Sequence, residues 1–191
     1  QFIKWFQCQS SPNHLVYHLH ADSGTEYVNS RVQAMLKEIG AVFTSSPPRT
    51  AQLNGVAERL NRTILDLTRS MLLAANAPKS LWGEAASFAT FVLNRVKINK
   101  ETGKSPYEMI TGQKPFIKLI KPFGTKCYYY DRNPTKKKLD DRAYPGVICV
   151  MDPDGLAYRV WIPGTTQVIR TKDVRVDKEE PLMINQEEEN E

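Results

Sequence analysis

The chain has 191 residues, 41% apolar and 25% charged, the make-up of a globular protein with room for one ordinary domain and a small one. No apolar run approaches the roughly 18 to 20 residues of a membrane-crossing helix, so no membrane partner is expected. Net charge is +5, which permits an anionic partner without demanding one, and three scattered cysteines argue for a reducing compartment rather than a disulfide framework.

The opening, Gln1 to Trp5, has neither an initiator Met nor the order of a secretory signal, as expected of a segment cut from a longer polypeptide. Phe2, Ile3, Trp5 and Phe6 suit the remnant of an amphipathic helix, followed by a loop at Ser10 to Asn13. Leu15 to His20 reads as a strand, with Ala21 to Thr25 as the turn at its C-terminal end. Asn29 is placed to cap a helix carrying Val32, Met35, Leu36 and Ile39 on one face, closed by Gly40. Ala41 to Thr44 is a second short strand, and Pro47-Pro48 then forbids regular structure by removing two amide donors.

A long helix is expected from about Leu53 to Ala75. Val56, Leu60, Ile64, Leu67 and Met71 recur at helical spacing and predict a buried stripe. A second helix runs from Pro78 to about Val96, and Ser105-Pro106-Tyr107-Glu108 has the cap, proline and acid of a helix start. From Pro122 onward short β-rich runs appear at Cys127 to Tyr130, Val147 to Met151, Tyr158 to Ile162 and Gln167 to Thr171. Turn signals separate them, which suggests a small barrel. The expected division is 1–118 for the first domain, 119–178 for the barrel and 179–191 for an acidic disordered tail.

Two acids stand in suggestive settings. Asp22 follows a strand beside Ser23-Gly24-Thr25, where the backbone can turn away and expose a carboxylate. Glu58 opens the long helix, away from the predicted stripe and favoured there by the helix dipole. Taken singly, each is an ordinary turn or helix-start residue. Together they suit phosphodiester chemistry, in which two Mg²⁺ ions held by converging carboxylates stabilise the attacking and leaving oxygens.

The surrounding residues resemble a family. Leu19 to Glu26 looks like the Ser-Asp-Asn-Gly-Gly-Glu segment of copia-type retrotransposon integrases. Gln52 to Thr63 is similar to that family's Gln-Asn-Gly-Val-Ala-Glu-Arg-x-Asn-Arg-Thr block. Thirty-five residues separate Asp22 from Glu58, the interval of the last two members of an integrase Asp-Asp-Glu triad. The resemblance continues through Leu81 to Ala85, Leu93 to Arg95, Ser105 to Glu108 and Thr111 to Pro115, and then Tyr158 to Trp161 and Lys172 to Val174. It implies an α/β (α+β) protein: a truncated RNase H-like integrase core followed by a small all-β Src-homology-3-like barrel. It implies Mg²⁺ or Mn²⁺ at Asp22 and Glu58, DNA as partner, a homo-oligomer in the full-length form, and a nuclear location after a cytoplasmic particle stage.

The resemblance also gives Gly55 a tight turn ahead of the helix. Arg62 would contact phosphate or pair with Glu58, Asn61 would orient the Glu or be a plain surface amide, and Arg49 would lie near nucleic acid. Ser23 and Thr25 depart from the family's Asn and Gly, and Arg49-Thr50-Ala51 stands where the family has Tyr-Thr-Pro. No Asp precedes Asp22, so the triad's first acid is absent and this chain alone is expected to be inactive. A DNA-binding remnant without catalysis and a multimerisation module built on helices 53 to 96 are the alternative readings.

Lys136, Lys137 and Lys138, with Arg132 and Arg142 beside Tyr128 to Tyr130, suit a phosphate backbone and stacked bases, or else a solvated loop. His14, His18, His20 and Cys8 lack the paired spacing of a zinc site. Trp82, Trp161, Phe88 and Phe91 are expected in the core.

Overall fold

The computed structural model describes residues 16–21, 24–25, 27–46, 55–132, 135, 137–152 and 155–181. It divides into two compact units, one of residues 1–63 and 98–115, the other of 64–97 and 116–191. No helix among the described residues is long and apolar enough to cross a membrane.

In the first unit, strand β1 (His18–Ala21) lies parallel to β2 (Val42–Ser45), with His20 opposite Thr44. Parallel pairing needs a crossover, and helix α1 (Ser30–Glu38) supplies it. Asn29 caps α1 as expected: its side chain accepts from the Val32 amide at 3.0 Å, and Gly40 (φ 71°) follows the helix end. Leu36, 2% exposed, is the residue α1 buries most deeply. The helix α2 (Gly55–Ala74) begins in this unit and ends in the other. Gly55 is its first residue and is not among the glycines with positive φ; the turn expected ahead of it lies outside the described residues.

The second unit is built on α3 (Trp82–Val96) and five antiparallel strands: β3 (Thr125–Tyr130), β4 (Ala143–Met151), β5 (Tyr158–Trp161), β6 (Val168–Thr171) and β7 (Val174–Pro181). Their order is β6-β5-β4-β3-β7. The fifth strand has no counterpart among the four runs read from the sequence. Its charged residues, Arg175, Asp177 and Lys178, hide a β pattern in the sequence; paired with β3, the strand runs to Pro181, past residue 179 where the acidic tail was expected to begin.

Both faces of this sheet are apolar. Ala85, Phe88 and Phe91 of α3 pack with Val147, Cys149, Val150 and Met151 of β4, Trp161 of β5 and Phe123. On the other face, Cys127, Ile148 and Val160 gather Tyr129, Ile169, Val174 and Val176, so all five strands contribute to one interior. That gathering is how a short sheet curls toward a barrel. Two glycines allow the close approaches: a Cβ on Gly124 (φ 87°) would lie 2.4 Å from the Ala75 Cβ, and one on Gly146 would lie 2.5 Å from Val160 Cγ1. Mixed helix and sheet with a closing all-β module is the fold class that the sequence implied.

The remaining helix, α4 (Pro106–Thr111), starts where its motif places it. The Ser105 hydroxyl accepts from the Glu108 amide at 3.2 Å, and Gly112 ends it in the left-handed region. The core expectation holds for Trp161, Phe88 and Phe91, all 6–7% exposed, and fails for Trp82, which is 62% exposed. Trp82 is the first residue of α3; its neighbour Leu81 and, a turn on, Ala85 enter the core cluster, which among the described residues does not include Trp82.

Candidate functional site

Glu58 lies in the first turn of α2, exposed to solvent. The reasoning that set it opposite a buried stripe is corrected by the structure. Val56 is 75% exposed and Leu60 48%, so the stripe is open where Glu58 sits and closes only further along. From Ile64 the same face becomes half-buried, Thr68 is buried, and Met71 and Leu72 pack against the second unit's core. Asn61 and Arg62 are exposed on the following turn. Among the described residues, the ion pairs do not include Glu58 with Arg62, although their spacing allows one. The Glu58 carboxylate is thus open toward solvent at a helix N-terminus.

Asp22, Arg49 and Lys136 lie outside the described residues, as do Cys8 and His14. What is described next to Asp22 is the end of β1. There, His20 Nδ1 and His18 Nε2 each lie 2.7 Å from the Thr44 hydroxyl, and His20 Nε2 lies 3.0 Å from that of Ser46. The Ser46 amide donates to the Ala21 carbonyl at 3.0 Å. The sequence placed both histidines on one strand face; the two hydroxyls opposite them became visible only once β1 and β2 were paired. Among the described residues, no group of three or more His, Cys, Asp or Glu is arranged to hold a metal ion. Cys127 and Cys149 are buried thiols, both pushed up to about 12 by burial, and so are poor ligands and poor nucleophiles.

The basic and aromatic residues at the sheet's edge sort by partner. Arg132 grips Asp173 with two hydrogen bonds, of 2.6 and 2.8 Å, and that bond and charge hold its guanidinium above its usual range. Arg142 donates to the Tyr130 hydroxyl at 3.1 Å, and this bond raises it likewise. Strand alternation splits the tyrosines: Tyr128 (45%) and Tyr130 (40%) face outward, whereas Tyr129 turns inward against Tyr144, ring centres 5.9 Å apart. An open hollow of about 560 Å³ lies between these tyrosines and Asp173 to Val176, and a second beside it is lined by Arg132, Arg170 and Lys172. Lys137 and Lys138 are exposed. Arg132 is therefore paired with Asp173 at the surface, and among the described residues Lys137, Lys138, Lys172 and Arg175 are further exposed cations.

Residues 125–190 match the retroviral polymerase SH3-like domain family, and the match begins at Thr125, the first residue of β3. Over 156 residues, 82% of the chain, it is 34% identical to the retrovirus-related Pol polyprotein from transposon TNT 1-94 of Nicotiana tabacum. The chain belongs to the retrovirus-related Pol polyproteins of transposons. A Pol polyprotein from transposon RE2 of Arabidopsis thaliana is likewise 34% identical, over 65% of the chain, and a Ty1 Gag-Pol polyprotein of Saccharomyces cerevisiae is 29% identical over 80%. This Pol segment spans about a tenth of the length of those relatives, covering 12%, 8% and 9% of them. Among solved structures, it overlaps the magnesium-bound catalytic core of the HTLV-2 integrase with a TM-score of 0.41 at 19% identity, over 57% of this chain and 64% of that one. It overlaps the BIV integrase core with a TM-score of 0.39 at 27% identity, over 52% and 62%. These overlaps are partial.

Proposed function

We propose that this Pol segment is the downstream part of a copia-type integrase, comprising the end of an RNase H-like core within 1–118 and an SH3-like module within 119–178. In the whole polyprotein it would serve Mg²⁺- or Mn²⁺-dependent joining of element DNA to target DNA, as a homo-oligomer acting in the nucleus. Asp22 and Glu58 are the carboxylates assigned to the metal. Their chemistry fits: hard oxygen donors suit Mg²⁺, and Glu58 stands exposed and free of an ion pair among the described residues. When bound, the ion would supply charge stabilisation at the attacking and leaving oxygens. The chain's own residues bind and orient: Glu58 offers its carboxylate from a rigid helix, and Asn61 and Arg62 offer hydrogen bonds to phosphate from the next turn.

One observation carries this reading. The acid-bearing block Gln52 to Thr63 and a Pol-family SH3-like domain at 125–190 occur in the same chain. Strand transfer on a short DNA duplex with Mn²⁺ tests it. The chain by itself is expected to be inactive, since no Asp precedes Asp22. Joined to upstream coding sequence that supplies an Asp about 50 to 60 residues earlier on a strand, it is expected to gain activity that Glu58→Gln abolishes. Activity that survives Glu58→Gln would end the assignment.

The exposed Tyr128 and Tyr130 of β3, with exposed Lys137 and Lys138 in the stretch that follows it, favour a second role for the chain alone, as a DNA-holding module.

A further inference from the structure

One face of the five-stranded sheet is divided between cover and solvent. Lys126 pairs with Val147 across β3 and β4, and Tyr128 pairs with Pro145 two residues on, which puts all four side chains on that face. At Val147 the face is closed, because Val147 joins Phe88 and Phe91 of α3 in the core. At Tyr128 it is open: Tyr128 is 45% exposed, Tyr130 40%, and Ala143, Pro145 and Arg175 are exposed as well. Arg175 of β7 stands opposite Tyr128 on the other side of β3, and Ala143 of β4 stands opposite Tyr130. The open part is thus a row of Arg175, Tyr128 and Pro145 next to a row of Tyr130 and Ala143. Arg175, both tyrosines and Ala143 line the hollow of about 560 Å³.

This face suits a partner with flat rings and negative charge. The two tyrosines are two strand positions apart, about 7 Å, and sit on paired strands, so little freedom is lost when a partner docks on them. Ala143 and Pro145 add no polar side-chain group beside the rings. Positive charge borders the face. Arg175 makes no ion pair among the described residues, and Arg142 donates to the Tyr130 hydroxyl at 3.1 Å, which brings a second cation to the edge of that ring. Duplex DNA hides its base faces in its own stack, at about 3.4 Å per step. An unpaired strand offers those faces to aromatic side chains, whatever its sequence.

We propose that the open face of β7, β3 and the start of β4 is a stacking platform for single-stranded DNA. Tyr128 and Tyr130 take unpaired bases, and Arg175 neutralises a phosphate beside them. This deepens the DNA-holding reading of the chain and rests on it.

The test is fluorescence anisotropy of the full 191-residue chain with a labelled short thymidine strand and with a duplex of the same length, from low salt upward. The single strand is expected to bind about tenfold more tightly than the duplex. Tyr128→Ala and Tyr130→Ala should each weaken strand binding by about tenfold, the scale of one lost base stack, whereas Tyr128→Phe keeps the ring and the affinity. Arg175→Gln should flatten the fall of log K with log salt by about 0.7, the share of one phosphate on a single strand. Thermal midpoints should stay near wild type, because these side chains lie outside the core. Should Tyr128→Ala unfold the sheet, the salt slope of Arg175→Gln decides, and an unchanged slope counts against the platform. Absence of binding to either DNA at low salt overturns the DNA-holding reading and this proposal with it. A duplex bound as tightly as the strand, or strand binding that both alanine variants leave unchanged, overturns this proposal alone. So does tighter binding of a uridine RNA strand or of a proline-rich peptide.

Discussion

The two halves of α2 carry one apolar repeat and meet opposite fates. Val56 and Leu60, in the first half, stand in solvent, whereas Ile64, Leu67 and Met71 continue the same stripe into partial burial. Met71 and Leu72 find the core made by α3 and β4; no described residue covers Val56 to that degree. Helical periodicity reports which face of a helix is apolar. Whether that face is covered depends on a neighbour tens of residues away.

The sharpest way to break this contrast is to delete a ring from the covered side. Phe88→Ala should cost roughly 3 to 5 kcal/mol, read by urea unfolding, because Phe88, on α3, is 6% exposed in the core it shares with the sheet and Phe123. A loss below about 1 kcal/mol would mean that α3 and the sheet do not share a core. Gly124→Ala is next, at roughly 2 to 4 kcal/mol, since the new methyl meets Ala75 and the backbone is left-handed.

A pH scan gives a smaller effect. Burial holds the Cys127 and Cys149 thiols up at about 12, from an unfolded value near 9.0. A folded pKa raised above the unfolded one gives stability that is whole below pH 9 and is lost as pH climbs toward 12. Denaturation midpoints should therefore fall across that window, and Cys127→Ala with Cys149→Ala should flatten the fall. Both thiols should also resist a disulfide reagent at pH 8 until urea is added.

The smallest effect belongs to the open half of the helix. Val56→Ala should change stability by less than about 0.5 kcal/mol, because its side chain is already in water. A larger loss would show that the open stripe is covered in solution.

Local elements were legible because their signals are local. Asn29, Ser105 and Gly112 each act on a backbone amide or carbonyl within a few residues, so the sequence places those helix ends to within a residue or two. The stretch Thr125 to Thr171 announced its strands through β-formers broken by turns. β7 stayed hidden because its charged residues suit solvent as well as a strand. Trp82 shows the same limit, since an aromatic residue promises burial only where a partner stands opposite.

For the site, sequence alone determined the chemistry available: Asp22 after a strand, Glu58 opening a helix, and a block that marks the Pol family. Tertiary structure decided what a linear pattern cannot encode. It took Arg132 out of the basic patch by setting Asp173 forty-one residues away within two hydrogen bonds, and it placed Thr44 and Ser46 against His20. The reason is physical: a motif is written in covalent neighbours, whereas ion pairs, straps and buried faces are made by residues that only folding brings together.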